Sequence, residues 1–163
     1  MNKIKIYTDG AASGNPGPGG YGAILEYKNH VKELSGAFRL TTNNRMELLA
    51  AIIALESITD KSLDVIVFSD SKYVVEAINQ KWVFNWENKG YKKKKNPDLW
   101  RRFLKVYRNY SKTIQFKWVK GHAGHIQNER CDELAVNAYN NQELQIDKEY
   151  ELLKNNDKGL FPS

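Results

Sequence analysis

The order of strand-like and helix-like segments in this chain admits few folds. Three strand patterns come first, at 3–8, 21–27 and 31–40. The period then changes, and from Asn44 to Leu55 apolar residues form the wide face of a helix that packs on a sheet. The β-branched run Asp64–Ser69 follows and predicts a buried strand, as in a parallel sheet. An antiparallel hairpin followed by parallel crossovers indicates an α/β domain.

The rest of the chain continues this alternation. Helices are predicted at 71–80, from Pro97 to about Tyr110 and at about 127–139, with a strand at 113–119. We therefore expect a five-stranded mixed sheet flanked by helices. The segment Gly14–Gly20 is rich in glycine and proline, so we expect neither helix nor interior strand there. Residues 1–140 are predicted to form the domain, and residues 141–163 a peripheral or flexible tail.

Size and cysteine content restrict the class of protein. The 163 residues fit one domain, and no apolar run approaches the ~20 residues of a membrane helix. The single cysteine, Cys131, excludes an internal disulfide and is compatible with the cytoplasm. It lies in a helical apolar pattern, so a buried structural thiol is expected. We expect a cytoplasmic monomer with no membrane association.

Positive charge is concentrated in one segment. From Lys81 to Arg108 there are ten lysines and arginines against Glu87 and Asp98, a net +8 in a chain whose total is +6. A solvated surface loop is one interpretation of such a run. Three aromatic residues interleaved with the lysines, Trp82, Trp86 and Tyr91, favour nucleic-acid binding instead, since aromatic rings stack on bases or sugars while lysines neutralise phosphates. We expect residues 81–97 to form a substrate-binding excursion from the domain.

Four carboxylates occupy positions where a fold can bring them together. Asp9 and Asp70 follow strands, Glu47 lies near the start of a helix and Asp132 lies in the last helix. Each has a structural alternative: a turn at Asp9, a capping box from Asn44 to Glu47, a helix cap at Asp70 and a solvated surface at Asp132. Adjacent parallel strands, however, would bring the two strand ends together. Converging carboxylates suit Mg²⁺ or Mn²⁺, and a metal pair hydrolyses phosphodiesters.

Several motifs together resemble one family, the bacterial type 1 ribonucleases H. The resemblance extends from about Lys3 to Tyr139 and is carried by Asp9–Gly10, Gly14–Ala23, Thr41–Leu48, Ser69–Ser71, Trp118–His125 and Asn128–Ala135. It implies a metal-dependent endonuclease with the ribonuclease H-like fold. Such an enzyme hydrolyses the RNA strand of RNA/DNA hybrids formed in replication and transcription, leaving 5′-phosphate and 3′-hydroxyl ends.

The resemblance also implies roles for individual residues. Two Mg²⁺ ions, with Mn²⁺ as a substitute, would be held by Asp9, Glu47, Asp70 and Asp132. His122, on a glycine loop, would assist proton transfer or product release. The substrate-binding residues would be Gly10, Ser13, Asn15, Thr42, Asn43, Asn44, Trp82, Trp86 and Lys89. Asparagine amides both donate and accept, which suits the 2′-hydroxyl that distinguishes RNA from DNA.

The chain departs from the family pattern at two places. Leu40 stands before the Thr41–Thr42 pair where a basic residue is common, and Arg39 is one position earlier. Glu87 and Asn88 stand in the basic excursion where lysines or arginines are common. The first difference predicts a weaker phosphate pocket, whereas Lys92 to Lys95 can compensate for the second. Both differences concern affinity for the hybrid and leave the chemistry unchanged. Two other functions fit part of the pattern: a transposase-like or junction-resolving nuclease with a similar acidic site, and a non-catalytic hybrid-binding module.

Overall fold

The fold is a mixed five-stranded sheet with helices on both faces. The computed structural model describes residues 3–121 and 125–160. Within these ranges the strands are β1 (Lys3–Ala12), β2 (Gly17–Tyr27), β3 (His30–Thr41), β4 (Asp64–Ser69) and β5 (Gln115–Trp118). The helices are α1 (Asn43–Ser57), α2 (Lys72–Asn79), α3 (Trp82–Asn88), α4 (Pro97–Tyr107), α5 (Ile126–Asn141) and α6 (Lys148–Leu160).

The sheet order is β3-β2-β1-β4-β5. Strands β1, β2 and β3 pair antiparallel, whereas β4 pairs parallel to both β1 and β5. The predicted antiparallel hairpin, the parallel crossovers and the five-stranded mixed sheet are confirmed. Helices α3 and α6 are not among the predicted helices.

The main core lies between the sheet and helices α1 and α4. Helix α1 buries apolar side chains over most of its surface because it is covered by the sheet on one side and by α4 on the other. From α4, Trp100 and Phe103 are fully buried, and Trp100 donates its indole N–H to the Tyr73 hydroxyl at 2.9 Å. Burial of large aromatic side chains stabilises this layer by about 2–3 kcal/mol each.

Helix α5 covers the opposite face of the sheet and lies unusually close to β2. A Cβ atom on Gly20 would overlap the Ala135 carbonyl oxygen, and one on Gly22 would overlap that of Cys131. Cys131 is buried here, and its thiol donates to the Tyr7 carbonyl oxygen at 3.2 Å. Burial raises the pKa of this thiol, as expected for a structural cysteine.

This close approach explains why one prediction from composition is wrong. The segment Gly14–Gly20 was expected to exclude an interior strand, yet β2 begins at Gly17 and pairs with strands on both sides. At Gly20 an added side chain would collide with the α5 backbone, whereas at Gly17 and Gly19 it would collide with the carbonyl oxygens of Ser13 and Ala11. The glycine-rich sequence therefore allows close packing of a helix on the sheet as well as a turn.

After α5 the chain crosses the edge strand β3 and enters α6. Gln145 forms an isolated parallel bridge to Phe38, donating to Ala37 and accepting from Arg39. Arg39 in turn makes a bidentate ion pair with Glu151 at 2.8 and 2.9 Å. These contacts cover part of an otherwise open sheet edge. Among the helices of the described ranges, none combines the length and apolar character that crossing a bilayer requires.

Candidate active site

The strand ends that carry Asp9 and Asp70 lie side by side. The last parallel pair between β1 and β4 is Thr8 with Ser69, and each aspartate is the next residue. The predicted meeting of these two positions is confirmed. Strand β1 does not end at Asp9, however, because it continues to Ala12 in antiparallel pairing with β2. Asp9 therefore projects from a continuous strand and is buried, with 8% of its surface exposed.

Glu47 reaches the same point from the second turn of α1. The start of this helix lies directly against β1, since a Cβ atom on Gly10 would overlap the Glu47 backbone nitrogen. One carboxylate oxygen from each of Asp9, Glu47 and Asp70 can lie within 4.8 Å of the others. Three of the four predicted carboxylates are thus brought into one cluster.

The capping alternatives for these carboxylates are wrong. Helix α1 is capped by Thr42, whose hydroxyl accepts from the Arg45 N–H at 3.2 Å, so Asn44 is already inside the helix. Helix α2 is capped by Ser71, whose hydroxyl accepts from the Val74 N–H at 3.2 Å. Neither Glu47 nor Asp70 is needed to satisfy a helix terminus.

The cluster is electrostatically unfavourable on its own. The pKa of Asp9 is raised to about 6, mainly by burial and also by the charges of Asp70 and Asp132, against the lowering effect of hydrogen bonds from Glu47 and the Gly10 N–H. Burial, followed by the Asp9 charge, raises the pKa of Glu47 well above its usual value. The Glu47 Oε2 atom is buried and has no hydrogen-bond partner among the described residues. Divalent cations fit this site because they supply both the missing charge and a partner for that oxygen.

The other two predicted catalytic residues are Asp132 and His122. Asp132 lies on α5, is half-buried and is outside the trio, but its charge raises the pKa of Asp9. His122 lies outside the described residues. Gly121, the last residue described before it, lies against Asp70, and an added Cβ atom would be 2.9 Å from the Asp70 Oδ2 atom.

The predicted RNA-contacting residues lie on two adjoining segments beside the cluster. Ser13 and Asn15 follow β1, and Asn43 and Asn44 open α1; all four are exposed. The Asn15 side-chain oxygen accepts from the Asn43 N–H at 3.2 Å and joins the two segments. Exposed amides held at a fixed spacing beside the carboxylates are available to a polar ligand.

The basic excursion is a short helix followed by a tight turn. Lys81, Gly90, Tyr91, Lys93 and Asn96 all have positive φ angles, which accounts for the compactness of the segment. Trp82 is 44% exposed, whereas Trp86 is half-buried and packs edge-on against Trp100 at 5.8 Å. Lys89 is exposed.

The prediction that Tyr91 is available to stack on a base or sugar is wrong. It is buried, with the Arg101 guanidinium 4.9 Å from its ring centroid. Its aromatic ring therefore stabilises the turn and is not available to stack on a base.

Two further residues connect to the site without having been predicted. Arg45, 1% exposed, makes ion pairs with Asp98 and Asp147 at 2.7 and 2.8 Å. Trp118 is 41% exposed and donates its indole N–H to the Asp70 carbonyl oxygen at 3.0 Å. The signal for Arg45 was its place in the apolar face predicted for α1, where an arginine requires buried partners.

Comparison with known proteins identifies the family. The RNase H family model matches residues 1–140. A Ribonuclease H of Rippkaea orientalis is 53% identical over 154 residues, covering 91% of this chain and 93% of that protein.

Solved structures agree. LC9-RNase H1, a type 1 RNase H with the type 2 active-site motif, has a TM-score of 0.77 at 31% identity and covers 88% of this chain and 74% of its own. LC11-RNase H1 in complex with an RNA/DNA hybrid has a TM-score of 0.64 at 30% identity, with 84% and 96% covered. The chain belongs to the ribonuclease H family and is a hydrolase of that family.

Proposed function

We propose that this protein hydrolyses the RNA strand of RNA/DNA hybrids at a two-metal centre, leaving 5′-phosphate and 3′-hydroxyl ends. The observation that carries the proposal is the convergence of Asp9, Glu47 and Asp70. One carboxylate oxygen from each lies within 4.8 Å of the other two, close enough to bind the same metal ions. The related LC11-RNase H1 was solved with an RNA/DNA hybrid, which supports the choice of substrate. Removal of RNA from hybrids formed in replication and transcription would be its role in the cell.

Four carboxylates would hold the ions. Asp9 would help to hold both Mg²⁺ ions, Asp70 the ion that activates the attacking water, and Glu47 the ion that stabilises the leaving oxygen. Asp132 would complete the site from α5. When bound, such ions make a hydroxide-like nucleophile from water and stabilise charge on the leaving oxygen; Mn²⁺ would serve as a substitute.

The remaining steps are attack of water on the phosphorus and transfer of a proton. Water adds to the phosphorus while the bond to the 3′-oxygen breaks, so the phosphate stays on the 5′ end of one product. His122 would carry a proton at the leaving side or assist product release. Asp9 is buried and Glu47 is partly buried, with its Oε2 atom enclosed, and this packing would hold both carboxylates in place at the reacting centre and lower the cost of orientation.

Selectivity for the hybrid would come from two surfaces. The asparagines and backbone groups near Gly10 and Ser13 would contact 2′-hydroxyls of the RNA; the asparagines are Asn15, Asn43 and Asn44. Trp82, Trp86, Lys89 and Thr42 would contact the DNA strand. In this proposal residues 1–140 form the catalytic domain, residues 81–97 its substrate-binding excursion, and the protein acts as a cytoplasmic monomer.

A cleavage assay on matched duplexes tests this function. RNA/DNA hybrid, duplex DNA and duplex RNA of one sequence are incubated with the protein and Mg²⁺, and product ends are identified by labelling. We expect cleavage of the hybrid alone, in the RNA strand, with no cleavage when Mg²⁺ is chelated. Preferential cleavage of duplex DNA would instead support the transposase-like or junction-resolving alternative, and hybrid binding without cleavage would support the binding module.

A further inference from the structure

A cleft of about 450 Å³ lies between helix α6 and the lysine-rich turn, which comprises residues 89–96 between α3 and α4. One wall comes from the segments around Asn15 and Thr42, beside the carboxylate cluster. The other walls come from the turn that follows α3 and from α6. Asn15, Thr42, Lys94, Lys95, Tyr150 and Lys154 are among the residues that line the cleft.

The cleft is positively charged. Three lysines line it, Lys94, Lys95 and Lys154, and within the part of the chain that the structure describes no carboxylate does. Arg45 also lines the cleft, but its charge is balanced by ion pairs with Asp98 and Asp147. The lysines themselves form no ion pair with a described residue, so their charge is available to an anion.

Helix α6 is held firmly enough to place a side chain in this cleft. Asp147 begins the helix, since its carboxylate accepts from the Tyr150 N–H at 3.4 Å and its carbonyl from the Glu151 N–H at 2.9 Å. The same carboxylate accepts bonds from the buried Arg45 at 2.8 and 2.9 Å. Because Arg45 belongs to the first turn of α1, the orientation of α6 is tied to the helix that carries Glu47.

Lys154 follows Tyr150 by four residues and so lies on the same side of α6. The Lys154 ammonium is 5.7 Å from the centroid of the Tyr150 ring, and the Arg45 guanidinium is 5.4 Å from it. The ring therefore packs with the anchoring arginine and directs Lys154 along the cleft. Lys148, at the start of α6, lines a separate cleft together with Asp98 and Glu149.

We propose that α6 is a substrate-binding element, in which Lys154 together with Lys94 and Lys95 binds a backbone phosphate of the DNA strand. The inference rests on the proposed function, which places Thr42 on the DNA side, and Thr42 lines this cleft. Phosphate suits the site because lysine ammoniums surround it and the asparagine and hydroxyl groups of the opposite wall offer neutral donors. The C-terminal segment would thus extend the hybrid-binding surface beyond the residues 1–140 that match the family model.

The test compares two lysines on the same helix. Hybrid affinity is measured without divalent ions, between about 50 and 200 mM salt, for the full chain carrying Lys154→Ala or Lys148→Ala. Loss of one phosphate contact is expected to reduce the slope of log affinity against log salt by about 1 and to lower affinity roughly five- to tenfold near 0.1 M salt. Lys148→Ala is expected to leave the slope unchanged, and Lys154→Arg to retain the wild-type slope.

Each outcome bears on the proposal. Equal slopes for Lys154→Ala and wild type, or equal losses for the two alanine variants, would overturn it, the second by showing a general effect of charge. Circular dichroism of all three variants monitors folding, and the arginine variant keeps the test valid if alanine disturbs α6. Titration with inorganic phosphate distinguishes the source of the anion: a shift of Tyr150 resonances by phosphate alone, with hybrid affinity insensitive to Lys154→Ala, would contradict a nucleic-acid site.

Failure of this inference is distinguishable from failure of the proposed function. Hybrid cleavage by the wild-type protein is measured in parallel with binding. If the wild type cleaves the hybrid and Lys154→Ala binds it with unchanged salt dependence, only the role of α6 is wrong. If the wild type does not cleave the hybrid, the function itself is wrong.

Discussion

The carboxylate cluster and the lysine-rich turn carry opposite charge and are built in opposite ways. Asp9 is buried and Glu47 is partly buried against the sheet, where burial raises the pKa of each carboxyl group. Lys94 and Lys95 are exposed on a turn, where solvent surrounds their charge. Charge that must be positioned for chemistry is buried at a cost in stability, whereas charge that only attracts a polyanion is left in solvent.

Arg45 connects these two regions. Its guanidinium donates to Asp98, near the end of the lysine-rich turn, and to Asp147, at the start of α6. The residue lies between Asn44, at the predicted RNA-contacting surface, and Glu47 in the cluster. Arg45 therefore fixes the position of both charged regions. Substitutions in each region can separate its contribution to catalysis from its contribution to binding.

The largest expected effect is loss of cleavage on neutralising the cluster. Asp70→Asn removes a proposed metal ligand while keeping its shape, and we expect the cleavage rate to fall by roughly 10³-fold or more, since a metal ion stabilises the transition state by several kcal/mol. Hybrid affinity should change little because the basic surface is intact. Single-turnover cleavage and equilibrium binding are measured on the same preparation.

Asp64→Asn provides the matched control for this substitution. Asp64 begins the strand that Asp70 follows, and it is exposed and 3.7 Å from Lys112. We expect wild-type cleavage from this variant. Wild-type cleavage from Asp70→Asn as well would remove Asp70 from the catalytic set.

The next largest effect concerns the link between the two regions. Arg45→Met leaves Asp147 and Asp98 without their buried partner, and we expect the free energy of unfolding to fall by about 3–5 kcal/mol. Arg102→Met is the control, because Arg102 makes an equally short bidentate pair with Glu56 but is exposed, so its loss should cost about 1 kcal/mol or less. Urea unfolding of both variants gives the comparison, and equal losses would show that burial of Arg45 is unimportant.

A third prediction concerns the loss of folding stability that the carboxylate cluster causes in the metal-free protein. The pKa of Asp9 is about 6 in the folded protein and 3.8 as a reference, so the folded state binds the extra proton and metal-free stability falls as pH rises through that interval. At pH 7 the loss amounts to roughly 3 kcal/mol. Asp9→Asn should therefore unfold at higher urea concentration than the metal-free wild type at pH 7, and the two should converge near pH 4. Added Mg²⁺ should stabilise the wild type more than the variant.

Some of this arrangement could be predicted from the sequence, and some could not. The meeting of Asp9 and Asp70 follows from strand patterns, because parallel neighbours place equivalent ends together. Helix α3, helix α6 and the burial of Tyr91 could not be predicted. The position of α6 depends on contacts with a distant segment, such as Glu151 with Arg39, and the burial of Tyr91 depends on its packing against Arg101 of α4. Helix α3 has only seven residues and α6 is largely polar, so neither shows a clear helical period, and such helices are stabilised by tertiary packing.

The position of Glu47 is an intermediate case. Its helix was predicted, but its distance from Asp9 depends on the close approach of the helix to the strand at Gly10. The glycine-rich start of β2 is a related case: at Gly20 and Gly22 the requirement for a residue without a side chain comes from α5, more than a hundred residues further along the chain. Local propensity does not contain that information.

The smallest expected effect is on affinity at the basic surface. Replacing Lys92 to Lys95 by alanine should flatten the dependence of hybrid binding on salt, by about 1 for each lysine that contacts a phosphate, with roughly ten- to hundredfold weaker binding near 0.1 M salt. Cleavage of bound hybrid should persist, because the carboxylate cluster is untouched.

The control for that prediction replaces Lys3 and Lys5 by alanine. These lysines lie on β1 at the end of the sheet away from the carboxylate cluster. If only net charge matters, both lysine variants would bind the hybrid more weakly, each in proportion to the charge removed. A contact surface predicts that only the lysines of the turn change the slope. An unchanged slope after their removal would show that affinity for the hybrid resides elsewhere, and the contrast between buried chemistry and exposed attraction would then not hold for this molecule.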